Sequence, residues 1–370
     1  MCYICKIMLK IYSAYANMIL TSGNSKSNLP INCFVATKRP IHNKQKERGK
    51  PMFKKLAAAL ISSAFVLVSF GTMTVMADDV YFVTGGPMGT YYAIGSVMAD
   101  VLNPVLTESS LTVESSGASR ANLEMIEEGD AQFGTVQNDV MYYAYTGTDL
   151  FADEEPYSNF SAVAGLYDET VQIITNDENI KSVADLKGKT VSVGDAGSGV
   201  EFNAREILEA YGLSFEDITP VNAPFGESAS DLEEGNIDAA FIVAGTPTTA
   251  VEELASETGI TLVQLDEEHI AALQEKYNFY TEAVIPADTY EGISEDTTTV
   301  SVRAALVASN NVSESAVYEL LKALFDNKDA LVEGHPKFES LTLEDAVKGM
   351  SVPFHAGAKK YYEEQGITIE

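Results

Sequence analysis

Tryptophan is absent from the 370 residues, cysteine occurs three times and histidine four times. That leaves little material for a metal cluster or a disulfide framework. The cysteines (Cys2, Cys5, Cys33) all precede residue 34, so no cysteine nucleophile exists in the body of the chain. Positive charge is scarce as well, with 24 Lys+Arg against 54 Asp+Glu and a formal net charge of −30. A nucleic-acid binder needs local positive charge to displace counterions, so that class of partner is excluded. What is present is a 46% hydrophobic chain, long enough for about two packed domains.

The charge is unevenly spread. Residues 1–51 hold nine Lys/Arg and one Glu, and from Met52 the sequence reads Lys54-Lys55, an apolar run Leu56–Phe70, then Val75-Met76-Ala77. A basic segment, a short apolar core and small residues at the two positions a signal peptidase reads predict a cleaved signal peptide over 52–77, cut near Ala77. Met52 is then expected to be the true start, with 1–51 a mis-assigned upstream extension. The alternative is an uncleaved anchor, since Leu56–Ala77 is nearly long enough to span a bilayer. After cleavage 13 Lys+Arg face 53 Asp+Glu, a formal −40 with no cysteine, which fits an exported periplasmic protein.

Beyond residue 77, strand-like apolar runs alternate with helical patterns, the grammar of α/β architecture. Val80–Thr84 predicts a strand, Gly85–Gly89 a turn and Thr90–Asn103 a helix. Leu111–Glu114, a helix ending at Gly129 and the strand Ala131–Val136 follow. The second half repeats the plan: strand Thr190–Val193, a glycine turn through Gly199, a helix to Tyr211, a helix Ala229–Glu234 ending at Gly235, and strand Ala239–Val243. Extended runs at Ser161–Tyr167, Val171–Thr175, Tyr280–Pro286 and Thr299–Ser309 suggest a two-stranded hinge. The last quarter predicts helices at Ser313–Asn327, Thr342–Gly349 and Ala358–Gln365. The expected organisation is lobe I over 78–170, lobe II over 171–270, and a return to lobe I over 271–370.

Beyond residue 77 no HxxxH, CxxC or HExxH spacing occurs, so neither a metal nor a cofactor is expected. A dinucleotide fingerprint would need glycine at Thr84, and Ala196–Val200 does not supply a nucleophile elbow around Ser198. What remains is a set of loop-to-helix joints rich in small hydroxyl residues: Gly89-Thr90-Tyr91, Ser116–Ser119, Gln137-Asn138 and Gly197-Ser198-Gly199. Each can be an ordinary helix cap. Taken together, at equivalent strand ends of two similar halves, they point to a shared anion site, because helix N-termini favour negative charge. Arg120 is a minor candidate to reach that site, whereas Arg205 and Arg303 read as structural.

In order along the chain stand Thr84–Tyr92 (TGGPMGTYY), Glu114–Ser119 (ESSGAS), Val136–Asp139 (VQND), Val183–Lys189 (VADLKGK), Gly197–Gly199, Ile237–Pro247 (IDAAFIVAGTP) and His355–Tyr362 (HAGAKKYY). This ordered set resembles the TAXI family of solute-binding proteins, the extracytoplasmic subunits of TRAP transporters. The resemblance implies a type II periplasmic-binding-protein fold, two α/β lobes with a hinge and a ligand cleft between them. It further implies a monomeric binding protein that hands glutamate, glutamine, 2-oxoglutarate or a similar small carboxylate or amino acid to a sodium-coupled TRAP permease. The ligand-binding residues it implies are Gly89, Thr90, Tyr91, Ser116, Ser119, Gln137 and Asn138 from one lobe, and Gly197, Ser198, Gly199, Val200, Ala244 and Pro247 from the other. Val200 departs from the family, where threonine is common, and so does Pro87 within the first glycine loop. A sensor of the same fold and a hydrolase using a cleft serine are the rival readings, the latter lacking a visible base for its nucleophile.

Overall fold

The computed structural model describes residues 78–369, so the expected upstream extension and signal peptide lie outside the described residues. Ten strands form one mixed sheet: β1 (Asp78–Val83), β2 (Ser109–Glu114), β3 (Phe133–Gln137), β4 (Phe160–Thr175), β5 (Thr190–Ser192), β6 (Thr219–Val221), β7 (Ala239–Ala244), β8 (Thr261–Val263), β9 (Thr281–Ile285) and β10 (Thr297–Ser309). Their order is β2-β1-β3-β10-β4-β7-β5-β6, with β8 beside β4 and β9 beside β10. At each end a parallel trio (β2-β1-β3 and β7-β5-β6) is built from strand–helix–strand units. In between, β4 and β10 run antiparallel to each other along most of their length.

Those two long strands make the molecule bilobal. β10 pairs with β3 through residues 304–308 and with β9 through residues 297–301. β4 pairs with β10 from Phe160 to Thr170 and with β7 from Thr170 to Ile174. Each strand thus leaves one trio and enters the other, which is the type II periplasmic-binding-protein plan. The extended run interrupted on paper by Asp168-Glu169 is a single strand, with Asp168 exposed and Glu169 buried.

Among the described residues eleven α-helices cover the sheet: α1 (Thr90–Leu102), α2 (Ser119–Glu128), α3 (Asn138–Thr146), α4 (Gly199–Ala210), α5 (Phe225–Glu234), α6 (Thr249–Thr258), α7 (Glu267–Lys276), α8 (Glu314–Asp326), α9 (Lys328–Gly334), α10 (Leu343–Ala346) and α11 (Ala356–Glu364). Helix α1 seats closely on β1, because a Cβ at Gly95 would come within 2.8 Å of the Thr84 methyl. α2 and α5 both stop at a left-handed glycine, Gly129 (φ 86°) and Gly235 (φ 74°), as the repeated Glu-Glu-Gly pattern predicts.

Three apolar cores follow from these layers. One joins β1–β3, the first part of β4, the last part of β10 and the C-terminal helices. The other two lie on opposite faces of the second trio. The period-two alternation of β7 sends Phe241 and Val243 to one face and Ala240, Ile242 and Ala244 to the other. The return to lobe I falls later than residue 271. Leu273, Tyr280, Val300 and Val302 belong to one second-lobe core and Ile285 and Tyr290 to the other, and first-lobe packing resumes at Ala304. The cause is that α7 and β9 complete the second lobe before β10 crosses back. Two helices also differ from expectation. α5 starts at Phe225, after Pro224, and the helix expected over Thr342–Gly349 is the single turn α10, capped by the Thr342 hydroxyl.

Candidate functional site

A cavity of about 180 Å³ opens at the carboxyl ends of all six strands of the two parallel trios, which is where open α/β sheets place their ligands. The first lobe lines it with the β1–α1 loop and the start of α1 (Gly85–Tyr91), the start of α2 (Ala118, Ser119), Gln137 at the end of β3, and Tyr167 and Glu169 from β4. The second lobe contributes Asp195 and Ser198–Val200, Pro224–Glu227, and Val243 and Ala244. The volume suits one small molecule and is below the ~300–1,000 Å³ of pockets for drug-sized ligands.

Of the expected residues, Gly89, Thr90, Tyr91, Ser119, Gln137, Ser198, Gly199, Val200 and Ala244 come together in this wall. The other four do not. Ser116 turns into its own loop, where Oγ lies 3.0 Å from the Thr84 carbonyl and accepts from the Ala118 N–H at 3.1 Å. Asn138 braces the first lobe, donating to the Gly349 carbonyl at 3.3 Å and accepting from the Arg303 N–H at 3.0 Å. Gly197 packs against the Arg120 side chain, and Pro247 follows a cis peptide outside the lining.

The expected anion site at Ser198 is already filled by the chain itself. Ser198 Oγ accepts from the Glu201 N–H at 3.3 Å, and Glu201 Oε2 accepts from the Gly197 N–H at 2.6 Å. The first turn of α4 is therefore capped from within. α1 and α2 are different: neither Gly89 nor Ala118 caps its helix through a side chain, and both residues line the cavity.

Among the described residues, none that lines the cavity is Lys or Arg. Arg120 points away from the cavity, donating to Glu124 Oε1 at 2.8 Å, to the Leu150 carbonyl at 3.0 Å and to Glu154, with Phe151 beneath its guanidinium. Arg205 pairs with Glu201 one turn back, and Arg303 with Asp168 and Asp345, as structural roles require. The wall instead carries three carboxylates: Glu169, Asp195 and Glu227. Glu169 is only 1% exposed, and burial pushes its carboxyl up to about 8 even though Tyr91, Gln137 and Tyr167 face it. Tyr167 Oη approaches Glu169 Oε1 at 3.3 Å, while Glu169 Oε2, Gln137 Oε1 and Tyr91 Oη have no hydrogen-bond partner. Asp195 is also raised, by burial and then by the Glu227 charge.

Tyr167 and Glu169 were missed at the level of sequence. The usable signal was the acid pair Asp168-Glu169 inside the otherwise apolar run from Leu166 to Thr175, of which Glu169 stands two residues from Tyr167 and hence on the same strand face.

Around the cavity the lobes touch through specific contacts. Thr90 Oγ1 donates to the Gly245 carbonyl at 3.3 Å. Gly199 lies so close to Gln137 that any side chain at 199 would strike its amide oxygen. Behind this seam lies a buried polar chain from α3 to α4. Asn203 Nδ2 donates to Asp139 Oδ2 at 2.9 Å and to Tyr280 Oη at 2.7 Å, while Tyr143 Oη at 2.6 Å and Tyr280 Oη both donate to Glu206. Next to it Phe202 of α4 stacks between Tyr143 and Phe151, its ring 5.9 Å from each.

Similar solved structures include the periplasmic aliphatic sulphonate binding protein SsuA from Escherichia coli, at 17% identity and a TM-score of 0.44, covering 78% of this chain and 83% of that one. PhnD1 from Prochlorococcus marinus in complex with methylphosphonate matches at 11% identity and 0.47, covering 71% and 90%. A putative L-cystine ABC transporter structure from Listeria monocytogenes matches at 13% and 0.44, covering 71% and 96%. Likeness at this level carries no ligand chemistry. The match of a family model to residues 82–366 is of another kind, for it spans both lobes and every residue of the cavity wall, and by it the chain belongs to the NMT1-like family.

Proposed function

We propose that this protein is an extracytoplasmic solute-binding protein that captures a small carboxylate or amino acid between its lobes and delivers it to a membrane permease. The observation that carries this reading is the cavity itself, lined by both lobes at six strand ends, with the long strands β4 and β10 passing from one lobe to the other. Such a pair can flex while each trio stays rigid, which lets the lobes open to admit a solute and close over it. The chemistry of the wall favours binding over catalysis. Among the described residues no histidine lines the cavity, and its two serines are engaged, Ser119 Oγ accepting from the Gln137 N–H and Ser198 Oγ capping its helix.

The ordered motifs that resemble the TAXI family support a sodium-coupled TRAP permease as the partner, and the N-terminal pattern of residues 52–77 supports export through a cleaved signal peptide. The protein is expected to act as a monomer. Native mass spectrometry of the purified protein, followed by denaturation and identification of any released small molecule, tests the reading. One bound solute below a few hundred daltons is expected. Chemical conversion of that solute on incubation with the protein would overturn the binding reading in favour of an enzyme.

A further inference from the structure

Three polar atoms of the cavity wall are left without partners: Glu169 Oε2, Gln137 Oε1 and Tyr91 Oη. Their residues are 1%, 2% and 8% exposed, so ordinary solvent does not satisfy them. Buried polar groups are nearly always paired, and an orphan among them is a place where a missing partner belongs. Gln137 Oε1 and an ionised Glu169 can only accept hydrogen bonds. Asp195 and Glu227 stand in the same wall, and among the described residues no Lys, Arg or His does. A wall of this kind asks for donors and positive charge.

The opposite demand is made where α1 and α2 begin. Gly89 with Thr90, and Ala118 with Ser119, bring two helix first turns to the cavity without a side-chain cap on either. Exposed first-turn N–H groups suit a carboxylate. We propose that the solute is an α-amino acid, its ammonium held by Glu169 and Gln137 and its carboxylate at the uncapped first turns of α1 and α2. This rests on the solute-binding reading above and narrows it, because acids without nitrogen, such as 2-oxoglutarate, leave Glu169 and Gln137 unpaired.

The pairing has a proton attached to it. The groups facing Glu169 are Tyr91 from α1, Gln137 from β3, Tyr167 from its own strand and the Asp139 charge from α3, and no cation is among them. Without a counter-charge, burial holds the Glu169 proton up to about 8. An arriving ammonium reverses that balance: the carboxylic acid loses its proton to solvent, and the ammonium becomes the donor to the carboxylate. Binding near pH 7 therefore releases up to about one proton per ligand, and affinity rises with pH up to about 8.

The test is titration calorimetry of the full chain with matched pairs: L-glutamate and glutarate, L-glutamine and glutaramate, L-leucine and 4-methylpentanoate, L-alanine and propionate. Repeating it in two buffers of different ionisation enthalpy counts the protons. At least one amino acid is expected to bind about 100-fold or more tightly than its partner lacking the α-ammonium, with proton release, and Glu169→Gln is expected to shrink that ratio about 10-fold or more. A thermal melt of the variant checks that it is folded, and the proton count on the unmodified protein needs no variant. If glutarate, 4-methylpentanoate or propionate binds as tightly as its amino acid, or binding takes up a proton, the ammonium assignment is wrong while the solute-binding reading stands. If neither member of any pair binds at about 1 mM, the weak end of specific affinity, both fall together.

Discussion

Glu206 makes a prediction about stability that can be worked from its surroundings. Its carboxyl lies in the seam between α3 and α4, accepting from Tyr143 and Tyr280, and burial carries it from a usual 4.5 to about 8. A group raised in this way binds its proton more tightly folded than unfolded. Its contribution is intact below pH 4.5 and is lost as pH rises towards 8, at about 1.4 kcal/mol per pH unit. The full loss is of order 5 kcal/mol, most of the net stability of an ordinary domain. Glu169 follows the same course to about 8, while Asp139 is raised only to about 6. Burial lowers His335 and His355, which act oppositely, but their effect is complete once the pH passes the ordinary histidine value near 6.5. Between about pH 6.5 and 8 two buried glutamates thus dominate, and together they remove a few kcal/mol. At ~2–4 °C per kcal/mol for a chain of this size, Tm should drop by roughly 5–10 °C. Calorimetric scans in steps of half a pH unit would follow it. Glu206→Gln cannot ionise and should halve the slope, whatever it does to the absolute Tm. A Tm that is flat or rising over this range, or a slope unchanged by Glu206→Gln, would refute the reasoning.

Other substitutions separate packing from ligand binding. Ser198→Ala removes the α4 cap and should cost about 1 kcal/mol in denaturant titrations, with solute affinity changed less than about 3-fold because the hydroxyl is already engaged. Gly199→Ala places a methyl against the Gln137 amide, so the lobes should close less fully; solution scattering should show a larger radius of gyration with ligand than the unmodified protein has. Asn122→Ala strips donors from the Thr84 and Thr135 carbonyls, which it meets at 2.6 and 2.7 Å, and should lower unfolding free energy by about 2–4 kcal/mol in urea.

The architecture was legible because it is written in period and punctuation. Apolar strands, glycine-stopped helices and the extended runs located the first trio, β5 and β7 of the second, and the strands that cross between them, while the short edge strand β6 (Thr219–Val221) went unread. Legibility failed where a residue's role depends on partners distant in sequence. Nothing near residue 271 says that α7 and β9 must fill the second-lobe cores before the chain returns. The glycine–hydroxyl joints named Gly89, Thr90, Tyr91, Ser119, Gln137, Ser198 and Gly199 of the cavity wall, Val200 and Ala244 coming from the family resemblance alone, yet the same pattern also named Ser116, whose hydroxyl turns back into its own loop, and gave no hint that Glu201 completes the cap at Ser198. Charge misled in a more instructive way. A total of −30 is a sum over exposed and buried carboxylates alike, and taken alone it implies a surface that any anion must approach against repulsion. It could not say that one of those carboxylates, Glu169, is buried in the cavity wall with an unpaired oxygen. The distinction changes the ligand. Exposed acidic charge is screened by salt over about 10 Å and bears weakly on what binds inside. A single buried acid beside an unpaired amide oxygen acts at contact distance without that screening, and it selects for the end of a solute that can donate hydrogen bonds.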